Sequence, residues 1–433
     1  MEQAKPTPVS PKIKLTAFAA TSIAILVTLV EGMGWVAIPP VVSAVFRWIA
    51  ILLLSYLCYK RRSLTTWILF SMIIGAEVGY DFPLVAQELK IVSKIFLKLI
   101  KTIIAPLIFG TLVVGIAGHA DLKQVGRMGW KSILYFEIVT TIALFIGLFA
   151  INVSQAGVGI NLPPPTETEV MDVPKQEGWQ DVILHIFPDN IAHSIYHGQV
   201  LQIVVFSILF AIGVAMVREP FKRNMLNFTE SLTEVMFKFT GIVMYFAPFA
   251  VGAAIAYTVG HMGFGILINL FKLLATLYAA LIVFVLVVML PVALWIKLPI
   301  RKFLKAIAEP ATIAFSTTSS EAALPKALVA MEKFGVPRKI VAFVLPTGYS
   351  FNLDGSTLYL SLATIFVAQA AGIHLDIGQQ ILILLTLMLT TKGIAGVPRA
   401  SLVILMGTAA SFGLPVEPIF IILGIDELMD MAR

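Results

Sequence analysis

The residues best able to do chemistry lie in the last third of the chain. Between Gly348 and Gly355, in the run PTGYSFNLDGS, the polar residues Tyr349, Ser350, Asn352 and Asp354 interrupt an otherwise apolar stretch, with no Lys or Arg nearby to neutralise the carboxylate. An ionisable group in such a setting is expensive and marks a polar path through a membrane. Two more interrupted segments flank it, STTSSEAALPKAL from Ser316 and TTKGIAGVPRASLVIL from Thr390. Together the three point to a site for something small, charged and carried across. A plainer reading makes Asn352 and Asp354 caps of a helix kink.

The elements that must position these residues follow from composition. Hydrophobic residues make up 58% of the 433 and charged residues 13%, with a mean hydropathy of +0.93, which no soluble core could hide. An integral membrane protein is expected. The net charge of +6 comes from short Lys and Arg clusters between apolar runs, with no basic stripe, so nucleic acid is not an expected partner. Cys58 is the only cysteine, which excludes an internal disulfide and a cysteine-based metal cluster. Six histidines show no ligand pattern with carboxylates at mid-membrane depth, so a membrane enzyme is disfavoured and no cofactor is expected.

A helix needs about 20 apolar residues to cross the hydrocarbon. That criterion predicts helices near 13–34, 40–59, 64–82, 88–117, 126–154, 196–217, 227–258 and 264–298. The basic clusters Lys60/Arg61/Arg62, Lys123/Arg127/Lys131, Arg218/Lys222/Arg223 and Lys297/Arg301/Lys302/Lys305 all follow an even-numbered crossing. Positive charge marks the cytoplasmic face, so the N-terminus is expected inside and the acidic, Pro-rich stretch from Pro163 to Asp181 outside.

After Lys305 the apolar runs become short and are broken by Ser, Gly and Pro. Irregular backbone is tolerated at membrane depth only where it is buried in protein or lines a cavity. Ser316 to Ser320 and Gly393 to Pro398 therefore read as tips of two re-entrant hairpins with a broken helix between them, a pattern of secondary transporters with a midplane site.

At these residues the chain resembles a known family. STTSSEAALP, GYSFNLDGSTLYLSLATIFVAQ, KGIAGVP and GIDELMDMAR are similar, in order and spacing, to the dicarboxylate/amino acid:cation symporters, the prokaryotic relatives of glutamate transporters. The resemblance extends back through FLKLIKTIIAPLIFGTLVVGIAG, GRMGWKSILYFEIVTTIAL and HGQVLQIVVFSILF, and covers roughly Ser63 to the end. It implies an all-α membrane protein of glutamate-transporter-like fold, with eight core helices and two re-entrant hairpins; the two helices in residues 1–62 are then extra. Residues 63–300 would hold scaffold and peripheral helices, with part of the transport domain in the third and sixth core helices. Residues 301–433 would form the transport core: hairpin 302–332, broken helix 338–372, hairpin 378–412 and last helix 416–433. The family further implies a homotrimer in the plasma (inner) membrane whose transport domains slide against a scaffold.

By the same resemblance Ser319, Ser320, Ser356, Gly396 and Val397 would meet a substrate carboxylate, aided by a helix N-terminus. Gly348, Ser350, Asn352, Asp354, Thr390, Thr391 and Thr140 would hold a cation, the oxygen ligands suiting sodium. Asp430 and Arg433 match positions that meet the amino group and side-chain carboxylate of an acidic amino acid. An Arg fork pairs bidentately with a carboxylate, and a lone Asp attracts an ammonium. Import of glutamate or aspartate is thus expected, with a four-carbon dicarboxylate as the alternative and a channel as the remoter one. The bland reading of Asp426, Glu427, Asp430 and Arg433 is a set of i, i+3 and i, i+4 pairs on an ordinary helix.

The chain departs from the family pattern in four ways. It stops at Arg433, before an Asn and acidic position that complete a sodium site in the family, so the last helix is expected to be truncated. Arg399 stands beside Pro398 at the second hairpin tip, where the family usually has a small or neutral residue; it reads either as part of the gate or as an Arg snorkelling to the interface. Thr318 replaces an Arg that some relatives carry beside the serines. The two N-terminal helices are additional. The coupling ion stays open: Glu137, mid-helix in YFEIVTTIAL, is a candidate proton carrier, or a structural hydrogen-bond partner.

Overall fold

In lipid a backbone satisfies its own polar groups only by coiling into helices or closing a barrel. Every regular element among the described residues is helical. The computed structural model describes residues 16, 19–23, 27, 39–61, 63–118, 122–160, 187–197, 199–391 and 399–433. The helix expected over 13–34 lies largely outside them, and the acidic stretch from Pro163 to Asp181 lies wholly outside.

In chain order the helices are α1 Pro40–Arg61, α2 Leu64–Asp81, α3 Pro83–Glu88, α4 Lys90–Ala117, α5 Leu122–Ser154 and α6 Ile191–His197. Next come α7 Val200–Met216, α8 Glu219–Met244, α9 Ala247–Met262 and α10 Ile266–Phe284; a π-helical turn, Val285–Met289, leads into α11 Leu290–Trp295. The last third holds α12 Ile300–Thr317, α13 Ser320–Phe334, α14 Arg338–Phe351, α15 Asp354–Ala370, α16 Ile377–Thr390, α17 Ala400–Ser411 and α18 Glu417–Ala432.

Four stretches among the described residues are long and apolar enough to cross a membrane: Val41–Lys60, Pro83–Ala117, Trp130–Ser154 and Ile266–Trp295. The protein is a multi-pass membrane protein. The single helix expected over 227–258 is instead α8 and α9, bent by 49° at their junction. Pro248, in the first turn of α9, explains the break: it offers no N–H, and its ring opposes the carbonyl one turn earlier.

The chain divides into two compact units, Met1–Phe96 with Met244–Leu267, and Leu97–Val243 with Ile268–Arg433. In the first, α2 and α9 meet almost backbone to backbone. A Cβ on Gly75 would collide with the carbonyl oxygen of Gly252, and one on Gly79 would lie 2.6 Å from that of Ala256. Small residues four apart let helices pack this closely where no hydrophobic effect drives them together. Gly75→Leu is therefore expected to lower the thermal unfolding midpoint of the detergent-solubilised protein by several degrees. Gly213→Leu, where a Cβ would meet open space, should leave it unchanged. Equal midpoints for the two variants would contradict this packing.

Arg47 ties α1 to α2, its guanidinium lying 2.6 Å from Glu77 Oε1 and 2.9 Å from Asp81 Oδ1, while Trp48 Nε1 donates to Asp81 Oδ2 at 2.8 Å. Charges within a membrane span are rarely left unpaired, so this network fixes α1 to α2.

The second unit is built around α15. A helix apolar on every side belongs in an interior, and α15 is buried along nearly its whole length. Gly147 on α5 lets that helix approach until a Cβ there would strike Ser361 Oγ and the Leu358 carbonyl. Helix α18, also buried along most of its length, packs on α15 as well, as does α17.

Candidate substrate and cation site

The polar run singled out in the sequence is a true break. Helix α14 ends at Phe351, Asn352 (φ −137°, ψ 62°) and Leu353 (φ −92°, ψ 67°) are non-helical, and α15 restarts at Asp354. Asp354 thus sits in a first helical turn, where the backbone dipole favours a negative charge. From α5, Thr140 Oγ1 lies 3.0 Å from Asn352 Oδ1 and 3.2 Å from Asp354 Oδ1. Three oxygens, one carrying formal charge, thereby converge in a buried place, a donor set that fits a small hard cation.

The other residues expected at a cation fall less closely together. The Gly348 carbonyl accepts the Asn352 N–H at 2.8 Å. Thr390 and Thr391 turn their hydroxyls back on carbonyls of their own turn, to Thr386 at 3.0 Å and Met388 at 3.5 Å. Ser350 belongs to α14, but its side chain lies outside what is described. Glu137 is half-buried on α5, and its carbonyl accepts from Thr141 Oγ1.

The hydroxyl run makes a hairpin turn. Helix α12 ends at Thr317, Thr318 adopts the left-handed conformation (φ 53°), and Ser319 caps α13 by accepting the Ala322 N–H at 3.3 Å. Ser319 is half-buried, Ser320 exposed, and Ser356 half-buried in the first turn of α15. Gly396, Val397 and Pro398 lie outside the described residues.

Asp430 and Arg433 lie in a closed cluster. Arg433 Nε donates to Asp430 Oδ1 at 2.7 Å, and its Nη1 lies 3.4 Å from Asp426 Oδ1. Its guanidinium stacks 3.9 Å from the Tyr359 ring centre, and Tyr359 donates its hydroxyl to Asp426 at 3.0 Å. Arg399 enters from the start of α17: its backbone N–H donates to Asp430 Oδ2 at 2.8 Å and its Nη2 to Glu427 Oε2 at 3.1 Å. The i, i+3 pair of the bland reading is present between Asp430 and Arg433. It is nonetheless no ordinary surface pair, because α15 and α17 each add a partner. Nor does Arg399 snorkel: its residue is 1% exposed. Two guanidiniums face three carboxyl groups, one formal negative charge in excess.

The two regions touch. A Cβ on Gly355 would collide with the Arg433 carbonyl oxygen, so only glycine lets the restart of α15 lie against the end of α18. The cation-suited oxygens and the charge cluster are thereby joined through the backbone of one residue.

Comparison with known proteins places this geometry. Residues 64–433 match the Sodium:dicarboxylate symporter family. The chain belongs to it. Among members of this symporter family, the chain is 43% identical over 383 residues to a proton/sodium-glutamate symport protein of Geobacillus stearothermophilus, covering 86% of this chain and 91% of that one. It is 41% identical over 392 residues to a proton/glutamate-aspartate symporter of Escherichia coli, at 86% and 89% coverage. A C4-dicarboxylate transport protein of Bacillus subtilis is 38% identical over 377 residues, again at 86% and 89%. Membership in a symporter family carries a glutamate-transporter fold and makes the protein a transporter, not an enzyme.

Sequence reasoning gave no role to Tyr359 and left Glu427 as one of several helix-surface charges. A signal for Tyr359 existed: a phenol in an otherwise apolar run needs a hydrogen-bond partner. Glu427 carries no such mark, because only the fold shows what stands opposite it.

Proposed function

We propose that this symporter imports glutamate or aspartate together with H+ or Na+, by an elevator-type alternation between the two faces of the membrane. The observation that carries the reading is the cluster in which the enclosed side chains of Asp430 and Arg433 lie side by side, an ammonium partner and a carboxylate partner three residues apart at the end of one helix. The named substrates of the relatives from Geobacillus stearothermophilus and Escherichia coli support it.

In this reading Arg433 receives the side-chain carboxylate, Asp430 the amino group, and the hairpin groups around Ser319, Ser320, Ser356, Gly396 and Val397 the main-chain carboxylate. The cation lies with Thr140, Asn352 and Asp354, within reach of Gly348, Ser350, Thr390 and Thr391. Glu137 is the proton-carrier candidate, and Pro398 with Arg399 forms the gate. Residues 301–433 act as the transport core, with hairpins at 302–332 and 378–412, the broken helix 338–372 and the last helix 416–433. Residues 63–300 supply scaffold and peripheral helices, and 1–62 the additional pair. The working form is a homotrimer in the plasma (inner) membrane with a cytoplasmic N-terminus. A second reading, transport of succinate, fumarate or malate, is favoured by the C4-dicarboxylate relative at comparable identity.

Uptake of labelled aspartate by the purified protein in liposomes tests this, with sodium and pH gradients imposed separately and with glutamate, succinate and serine as competitors. Concentrative uptake inhibited by glutamate more strongly than by succinate is expected. Stronger inhibition by succinate would favour the second reading, and no concentrative uptake under either gradient would overturn both. If Glu137→Gln leaves pH-driven uptake intact, the proton-carrier role falls.

A further inference from the structure

The cluster contains one ion pair that the proposed substrate contacts do not use. Arg399 stands at the N-terminal end of α17, its backbone left-handed at φ 63°, a conformation that a residue with a Cβ adopts only when its surroundings enforce it. Its side chain is fully enclosed and donates to Glu427 Oε2 at 3.1 Å, with Nη1 4.0 Å from Asp426 Oδ2. Both carboxylates come from α18, whereas Arg399 comes from the chain leading into a different helix. The two guanidiniums of the cluster thus differ in kind: Arg433 shares its helix with its carboxylates, and Arg399 reaches its own across an interface between helices.

We propose that Glu427 is a placeholder carboxylate: it holds Arg399 while no substrate is bound, and a carboxylate of the substrate takes its place at that guanidinium. The inference rests on the proposed transport of an acidic substrate and adds a carboxylate-binding residue, Arg399, with Glu427 as the residue that positions it. Three observations carry it. The pair is buried, so breaking it without a replacement is costly, and an entering carboxylate supplies that replacement. Its geometry is monodentate, one Nη to one Oε, where an Arg fork can take two oxygens side by side; a free carboxylate can therefore form the better-oriented pair. The left-handed backbone at Arg399 is held in part by the Asp430 carboxylate on its N–H and by the Glu427 pair on its side chain, so exchange at the side chain loosens a restraint on the residue that starts α17.

Equilibrium binding of aspartate and succinate to the purified protein tests this. Glu427→Gln keeps shape and one hydrogen-bond acceptor but removes the competing charge. It should tighten aspartate and succinate binding by about tenfold each, because both present a carboxylate to Arg399. Arg399→Gln should weaken both by a similar factor. In the double variant the gain from Glu427→Gln should vanish. A merely structural role for Glu427 predicts weaker binding in every variant, and that result, or unchanged affinity in Glu427→Gln, overturns the proposal. If Glu427→Gln does not fold, the double variant, which keeps the net charge of the wild-type cluster, decides: affinity equal to that of Arg399→Gln alone supports the placeholder, and affinity below that of Arg399→Gln overturns it. Failure of the wild-type protein itself to bind either acid overturns the acidic-substrate reading, and the placeholder with it; that outcome is recognisable because it appears without any substitution.

Discussion

Replacing Asp430 by Ser should shift the preference of the protein from aspartate toward succinate, with aspartate affinity falling by about two orders of magnitude. Asp430 is the carboxylate nearest Arg433 and also accepts the backbone N–H of Arg399. An ammonium group bound there replaces none of these contacts but neutralises the excess negative charge of the cluster, which is why its removal should be felt chiefly by substrates that carry an amine. Succinate lacks that group and gains from losing a repelling carboxylate. The decisive quantity is the ratio of the two affinities, measured by competition in the liposome assay, because damage to the fold lowers both together. An unchanged ratio would remove Asp430 from substrate recognition.

Asp354→Asn should abolish the dependence of substrate binding on the coupling cation. Thr140 and Asn352 supply neutral oxygens, and Asp354 the one formal charge among the three. The substitution preserves size, and the two neutral ligands left behind bind a hard cation poorly. Aspartate binding titrated at rising sodium should show a steep dependence in wild type and a flat one in the variant. A variant that keeps the sodium dependence at wild-type strength would locate that cation elsewhere.

The parts of this arrangement legible in the sequence share one cause, local chemistry that contradicts its surroundings. Asn352 and Asp354 in an apolar run foretell the break at 352–353, and the five hydroxyls from Ser316 foretell the turn at Thr318. Asp430 and Arg433 are three residues apart, so their pairing follows from helical spacing alone. The bend between α8 and α9 was missed because the apolar run continues across it and Pro248 is also permitted in a first turn. Arg399 was read in two ways because its carboxylates lie 27 to 31 positions along the chain; one Arg in a greasy segment looks the same whether it reaches water or an acidic pocket.

The unbalanced charge around Arg399 and Arg433 has a further consequence, for the role of membrane voltage. A monoanionic amino acid added to that cluster deepens its deficit to two negative charges, and two monovalent cations restore neutrality. The loaded cluster then moves with no net charge, so an inside-negative membrane potential does no work on it. The emptied cluster returns bearing its own negative charge, and the same potential drives it outward. Voltage would then act on the return of the empty cluster, and ion concentration on the loaded half of the cycle.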